Sequence, residues 1–161
     1  MLNNQDIILL LFTVCFIYCK KNEVNAQGKA GTYQKAGMEI DVVESLPNDV
    51  RVHVNLHWDG YGADHKSAGH KTGNLGCNDG QFHTYVLEWT PEHYKFFVDG
   101  VQQWIYTTHG SQRSEFIILS SEVRSGTPGV WAGSIVPGGY GSKAGSQTIM
   151  KVDYVKVYQL Q

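Results

Sequence analysis

Three acids stand close together in Glu39-Ile40-Asp41-Val42-Val43-Glu44, with no Lys or Arg among them. Along a β-strand, side chains at i and i+2 share a face, so Glu39 and Asp41 point one way and Glu44 points the other. A β-bulge at Val42-Val43 sets two residues against one on the partner strand and returns Glu44 to the face of the other two. Acids crowded on one face repel, whereas solvent faces usually interleave opposite charges. Glycoside hydrolysis is a chemistry that uses such a row. One carboxylate attacks the anomeric carbon while a second, protonated one delivers its proton to the leaving oxygen, the two standing about 5 to 5.5 Å apart in retaining enzymes. Neighbouring positions on one strand face supply that separation. The middle Asp adds negative charge and a hydrogen-bonding group, which keep the acid protonated and orient the nucleophile. The competing reading is a wet strand face that happens to carry three acids, and on the hexapeptide alone it stands.

Such a row needs a rigid sheet beneath it. Short segments of alternating polarity recur with turn residues between them, and no stretch longer than about ten residues holds a helical apolar period. Strands are expected over Gly37–Glu44, Val50–Trp58, Phe82–Trp89, Tyr94–Val98, Val101–Thr107, Glu115–Ser121 and Lys151–Tyr158. Asp99-Gly100, between alternating bulky residues, suits the two positive-φ positions of a type I′ hairpin. Pro47-Asn48-Asp49 marks another turn, and Asp59–Asp79 and Ser125–Gly145 read as long Gly-rich loops able to shape a binding surface. In 161 residues, 18 Gly with 12% aromatic and only 17% charged residues fit one all-β domain better than a charge-rich helical one. A net charge of -2 leaves no electrostatic footprint for nucleic acid or an anionic membrane surface.

The acid row has neighbours that give it context. Glu39-Ile40-Asp41-Val42-Val43-Glu44 resembles the bulged signature of glycoside hydrolase family 16, the form of its laminarinase-like and carrageenase-like branch. Leu56-His57-Trp58-Asp59-Gly60-Tyr61-Gly62, Phe82-His83-Thr84-Tyr85-Val86-Leu87-Glu88-Trp89-Thr90-Pro91, Phe97-Val98-Asp99-Gly100 and Val152-Asp153-Tyr154-Val155-Lys156-Val157-Tyr158 resemble that family in the same order. The resemblance implies a concanavalin-like β-jelly-roll of two curved antiparallel sheets. It also implies Glu39 as nucleophile, Asp41 as its assistant and Glu44 as general acid/base. The implied activity is retaining endo-hydrolysis of a β-linked glucan or galactan. Relatives carry further strands ahead of the catalytic one, where this chain has 38 residues, so an incomplete sandwich is expected. The chain is then either monomeric or dependent on a preceding portion. An inactive truncated member and a non-catalytic carbohydrate-binding β-sandwich are the alternatives.

Other cleft residues follow from the strand readings. Val50, Val52, Val54 and Leu56 form one face of the next strand, and Arg51, His53, Asn55 and His57 the other. Paired with the catalytic strand, Asn55 and His57 are placed to hydrogen-bond sugar or the acids, and Asn55 falls where relatives place a substrate-binding Asn. Sugars stack their C–H faces on aromatic rings, which nominates Trp58, Tyr61, Trp89 and Trp131, with Trp104 assigned to packing. Ser120 and Glu122 stand where the family has an Asn and a Trp, and Glu122 is taken as a substrate-binding candidate. His65, Lys66, His70 and Lys71 fit a sulfated glycan or a solvated loop. No Cys-x-x-Cys spacing supports zinc, so no metal site and no cofactor are expected. In some relatives the position of Asp153 helps hold a structural Ca²⁺, but the other oxygen ligands such an ion needs are not identifiable.

Residues Ile7–Cys19 are apolar but for Thr13 and too short to span about 30 Å of hydrocarbon as a helix. They read as a signal-peptide core with a small-residue cleavage site at Val24-Asn25-Ala26, although Asp6 replaces the usual basic residues. Phe16-Ile17-Tyr18 lacks the small side chains that lipidation at Cys19 favours. The division expected is a leader over 1–26 and the C-terminal portion of a catalytic domain over 27–161, in a secreted, periplasmic or cell-surface protein. After cleavage Cys77 is alone, which excludes an internal disulfide.

Overall fold

A computed structural model describes residues 11–20, 38–46, 49–107, 111, 115, 117–120 and 150–160. Its strands are β1 (Leu11–Lys20), β2 (Met38–Ser45), β3 (Arg51–Trp58), β4 (Lys66–Asn74), β5 (His83–Trp89), β6 (His93–Val98), β7 (Val101–Thr107), β8 (Lys151–Val152) and β9 (Lys156–Leu160). No helix is present among the described residues. The architecture is all-β, an incomplete jelly-roll sandwich. One sheet runs β2-β3-β4, and the other runs β7-β6-β5-β1-β8 with β9 also paired to β1.

Alternation along each strand decides which face turns inward. On β3, Val52, Val54 and Leu56 are at most 1% exposed and Trp58 is 5% exposed, while the residues between them face the other way. Tyr85, Leu87 and Trp89 on β5 and Tyr94, Phe96 and Val98 on β6 do the same from the opposite sheet. With Met38 they form one core between the sheets. The rings of Trp58 and Tyr106, from opposite sheets, lie 6.1 Å apart across it. Each large side chain buried in this way contributes about 1.5–3 kcal/mol. Trp104 packs on Phe96 at 5.3 Å between ring centroids, as its packing assignment requires.

The β6–β7 turn is the expected hairpin, with Asp99 at φ 48° and Gly100 at φ 79°. Asp99 also ties this turn to β5: its Oδ1 accepts the Thr84 N–H at 2.8 Å, and its own N–H donates to the Thr84 carbonyl at 2.8 Å.

Three expectations are corrected. Part of the Gly-rich segment Asp59–Asp79 is strand β4, antiparallel to β3. Its residues are mostly polar and exposed, with only Thr72 buried, so pairing rather than an apolar alternation makes it a strand. Thr72 Oγ1 accepts the Val52 N–H at 3.0 Å, and charged Lys66 and Lys71 suit an edge position. Of the expected strand Glu115–Ser121, Glu115 and residues 117–120 lie outside any strand. The expected strand Lys151–Tyr158 is broken into β8 and β9 around Asp153-Tyr154-Val155.

In the full chain Leu11–Lys20, which takes in most of the apolar run Ile7–Cys19, lies within a sheet as β1. It is parallel to β5 on one side and to β8 and β9 on the other.

Candidate active site

The acid row lies on β2 and is set by its register against β3. Glu39 pairs with His57 and Asp41 with Asn55, but Glu44 pairs with His53. Three residues on β2 are therefore spanned by two on β3, which is the bulge expected at Val42-Val43. The extra residue returns Glu44 to the face that Asp41 and Glu39 share. Asn55 lies on that face too, and its Nδ2 donates to Glu44 Oε2.

Crowding shows in the electrostatics. Burial, followed by the charges of Glu44 and Glu39 and a hydrogen bond with Glu39, raises the pKa of Asp41 from 3.8 to about 7. Near neutral pH Asp41 therefore carries a proton for part of the time, and that proton is its means of hydrogen-bonding the Glu39 carboxylate. Glu44 is also raised, first by burial and then by the charge of Glu39, against the opposing pull of the Asn55 hydrogen bond and His53. Both shifts favour the protonated form needed for a general acid. Glu39, exposed at the start of the row, is open to an incoming ligand.

His57 stands over the row from β3, with Nε2 3.5 Å from Asp41 Oδ2. Its Nδ1 meets His65 Nε2 at 3.0 Å. Burial comes first in lowering its pKa, and His65 adds to this against the opposing charge of Glu39. A neutral imidazole beside Asp41 is the consequence. The loop after β3 folds back to supply these neighbours. Asp59 and Gly60 adopt positive φ (61° and 71°), and His65 N–H donates to the Gly62 carbonyl at 3.2 Å. The rings of His57, Tyr61 and His65 cluster, with centroids 5.8 Å, 5.2 Å and 4.9 Å apart for the pairs 57/61, 57/65 and 61/65. Tyr61, 71% exposed, offers an aromatic face beside the acids.

The structure thus brings together Glu39, Asp41, Glu44, Asn55, His57 and Tyr61, but it separates two others from them. Trp58 was expected to stack on sugar, yet it lies on the opposite face of β3 from Asn55 and His57, in the core, because strand neighbours point to opposite sides. Trp89 is likewise a core residue, 5% exposed, stacked on Tyr94 and donating from Nε1 to the Ser111 carbonyl at 2.7 Å. Glu122 and Trp131 lie outside the described residues.

Arg51 and His53 hold the β2–β3 connection, and His53 also acts on Glu44. Arg51 Nε and a terminal guanidinium nitrogen hold Asp49 at 2.7 and 3.0 Å, and His53 Nε2 lies 3.1 Å from it. Led by the Arg51 hydrogen bond, these contacts hold the Asp49 carboxyl below the usual carboxylate range. Three of the residues that fit either a sulfated glycan or a solvated loop have partners within the chain. Lys66 pairs with Asp59 at 2.6 Å, Lys71 is 3.9 Å from Asp49, and His70 stacks on Trp104. Asp153, between β8 and β9, is exposed.

Sequence reasoning missed Gly69. It sits opposite Asn55 in the β3–β4 ladder, where a Cβ would lie 2.0 Å from Asn55 Oδ1. Only Gly leaves room for the Asn55 amide to lie across β4 and reach Glu44. The one sequence signal was a Gly inside a polar run, which reads equally well as loop.

A search among curated proteins gave no match. The family model described as glycosyl hydrolases family 16 matches residues 25–156, a span that holds the bulged acid strand, its β3 and β4 partners and the β5–β7 meander. On that match the chain belongs to glycosyl hydrolases family 16.

Proposed function

We propose that the chain is an exported retaining endo-glycosidase that hydrolyses a β-linked glucan or galactan by double displacement, with Glu39, Asp41 and Glu44 as its catalytic acids. The observation that carries this reading is the bulge between Asp41 and Glu44, which sets three acids on one face beside Asn55 and His57. Glu39 attacks the anomeric carbon as Glu44 protonates the departing glycosidic oxygen, leaving a glycosyl ester on Glu39 and a free sugar hydroxyl. Glu44, now ionised, takes a proton from water, whose oxygen attacks the same carbon and frees Glu39 with the original configuration. Asp41 in its protonated form hydrogen-bonds Glu39 and fixes its orientation, and Asn55 does the same for Glu44. Tyr61 supplies an aromatic face for sugar.

The second reading, a truncated member that is inactive alone, is favoured by exposed apolar residues. Ile117, Ile118 and Leu119 are 41%, 68% and 47% exposed, and Val157 is 58% exposed. Against a non-catalytic binding module stands the acid row, because holding sugar calls for aromatic rings and amides and not for a crowded row of acids.

Reducing-end release from a panel of soluble β-glucans and galactans separates the readings. The proposal expects release by the wild type and its loss in Glu39→Gln. No release by soluble, folded wild type would sink the enzyme reading, and equal release by Glu39→Gln would sink the choice of nucleophile.

A further inference from the structure

Away from the acid row, residues from three parts of the chain converge at the β6–β7 turn. Cys77 comes from the β4–β5 loop, His83 opens β5, and Asp99 is the first turn residue. One ligand atom from each lies within 4.8 Å of the other two. A tetrahedral ion with bonds of roughly 2.0–2.3 Å sets its donors about 3.3–3.8 Å apart, so modest movement of an exposed loop closes the triangle.

The neighbours of these three side chains are already arranged as a metal site arranges its outer shell. His83 has Nδ1 2.7 Å from Asp99 Oδ2, while Nε2 lies 3.0 Å from Asp79 Oδ1 on the far side of the ring. A ligating imidazole usually donates its second N–H to such a carboxylate, which fixes its tautomer and raises its basicity. Asp99 is oriented in turn by the Thr84 N–H on its other oxygen. The Cys77 thiol, which donates to the Leu75 carbonyl at 4.0 Å and hydrogen-bonds Tyr85, completes the triangle with the imidazole clasped by two carboxylates.

We propose that Cys77, His83 and Asp99 bind a zinc-like divalent cation, with His83 ligating through Nδ1, Asp79 as the outer carboxylate behind Nε2, and water as the fourth ligand. One thiolate, one imidazole and one carboxylate form a borderline-soft set that suits Zn²⁺ and not Ca²⁺, which takes six or more oxygens. Binding converts the Cys77 thiol to thiolate and releases its proton to solvent. The ion would pin the β4–β5 loop to the β6–β7 hairpin, a structural role separate from the acid row.

The test uses the full chain, stripped with a chelator and titrated with Co²⁺ as a spectroscopic substitute. The expected result is one equivalent bound, with a thiolate-to-cobalt charge-transfer band that Zn²⁺ abolishes. Cys77→Ser should lose the band, and Asp79→Asn should keep it with affinity lower by about 10–100-fold. Cys77 is only partly buried, so circular dichroism of Cys77→Ser is expected to match the wild type. A wild type without the band would overturn the site. So would a band that survives in Cys77→Ser, which would assign it to Cys15 or Cys19, or one unchanged in His83→Gln.

Discussion

Replacing Gly69 with Ala perturbs Glu44, the proposed general acid, without touching it. The new Cβ would lie 2.0 Å from Asn55 Oδ1 and 3.1 Å from both Asn55 Cγ and the Val54 carbonyl oxygen. Backbone packing on the Val54 side leaves the Asn55 amide as the group that must rotate by an ångström or more. The amide is rigid, so its Nδ2 moves with Oδ1 and leaves Glu44 Oε2. A hydrogen bond to a charged acceptor is worth about 1.5–3 kcal/mol, so complete loss would favour the protonated Glu44 carboxyl by that much. Glu44 is only partly buried, and water replaces part of the bond, which leaves about 1 kcal/mol. The direction is upward, because the Asn55 hydrogen bond opposes the effect of burial on Glu44. Carbon-detected NMR titration of Glu44 measures this directly, and the alkaline limb of the kcat/KM profile should move by the same amount. Asn55→Ala should give a similar shift, with little added by Gly69→Ala on top of it. A folded Gly69→Ala protein whose Glu44 titrates as in the wild type would refute the coupling.

Other outcomes test other parts of the structure. Asp41 has a folded pKa raised above its ordinary value, so it costs stability as pH rises from about 4 through 7. Asp41→Asn should therefore melt higher than wild type at pH 8 and equally at pH 3, by at most about 4 kcal/mol before screening by water is counted, while losing activity. Trp58→Ala should destabilise the fold by about 3–5 kcal/mol in chemical denaturation, because Trp58 is a core residue; a sugar-contact role would instead raise KM in a protein of normal stability. A chain beginning at Gln27, the form that removal of the leader would leave, lacks β1 and has β5 unpaired on one edge, so light scattering should show concentration-dependent self-association that the uncleaved chain does not share.

Local sequence determined a good deal. The alternation Val52-Val54-Leu56 fixed which face of β3 is buried, Asp99-Gly100 fixed the hairpin, and the three-residue step from Asp41 to Glu44 required a bulge if the acids were to meet. These features depend on strand period and turn dihedrals, which act between near neighbours. Tertiary structure decided the rest. Trp58 and Trp89 have side chains suited to either a core or a sugar site, and only the opposing sheet showed that they fill the core. The polar run Lys66–Asn74 became a strand because β3 offered it a ladder, and Gly69 acquired its role from a cross-strand neighbour fourteen positions away in sequence, Asn55. Cys77, His83 and Asp99 have no metal-binding spacing, and their convergence depends on how the β4–β5 loop meets the β6–β7 turn. A sequence encodes the period of each strand locally, but which strands face one another is fixed only when burial of all of them is satisfied together.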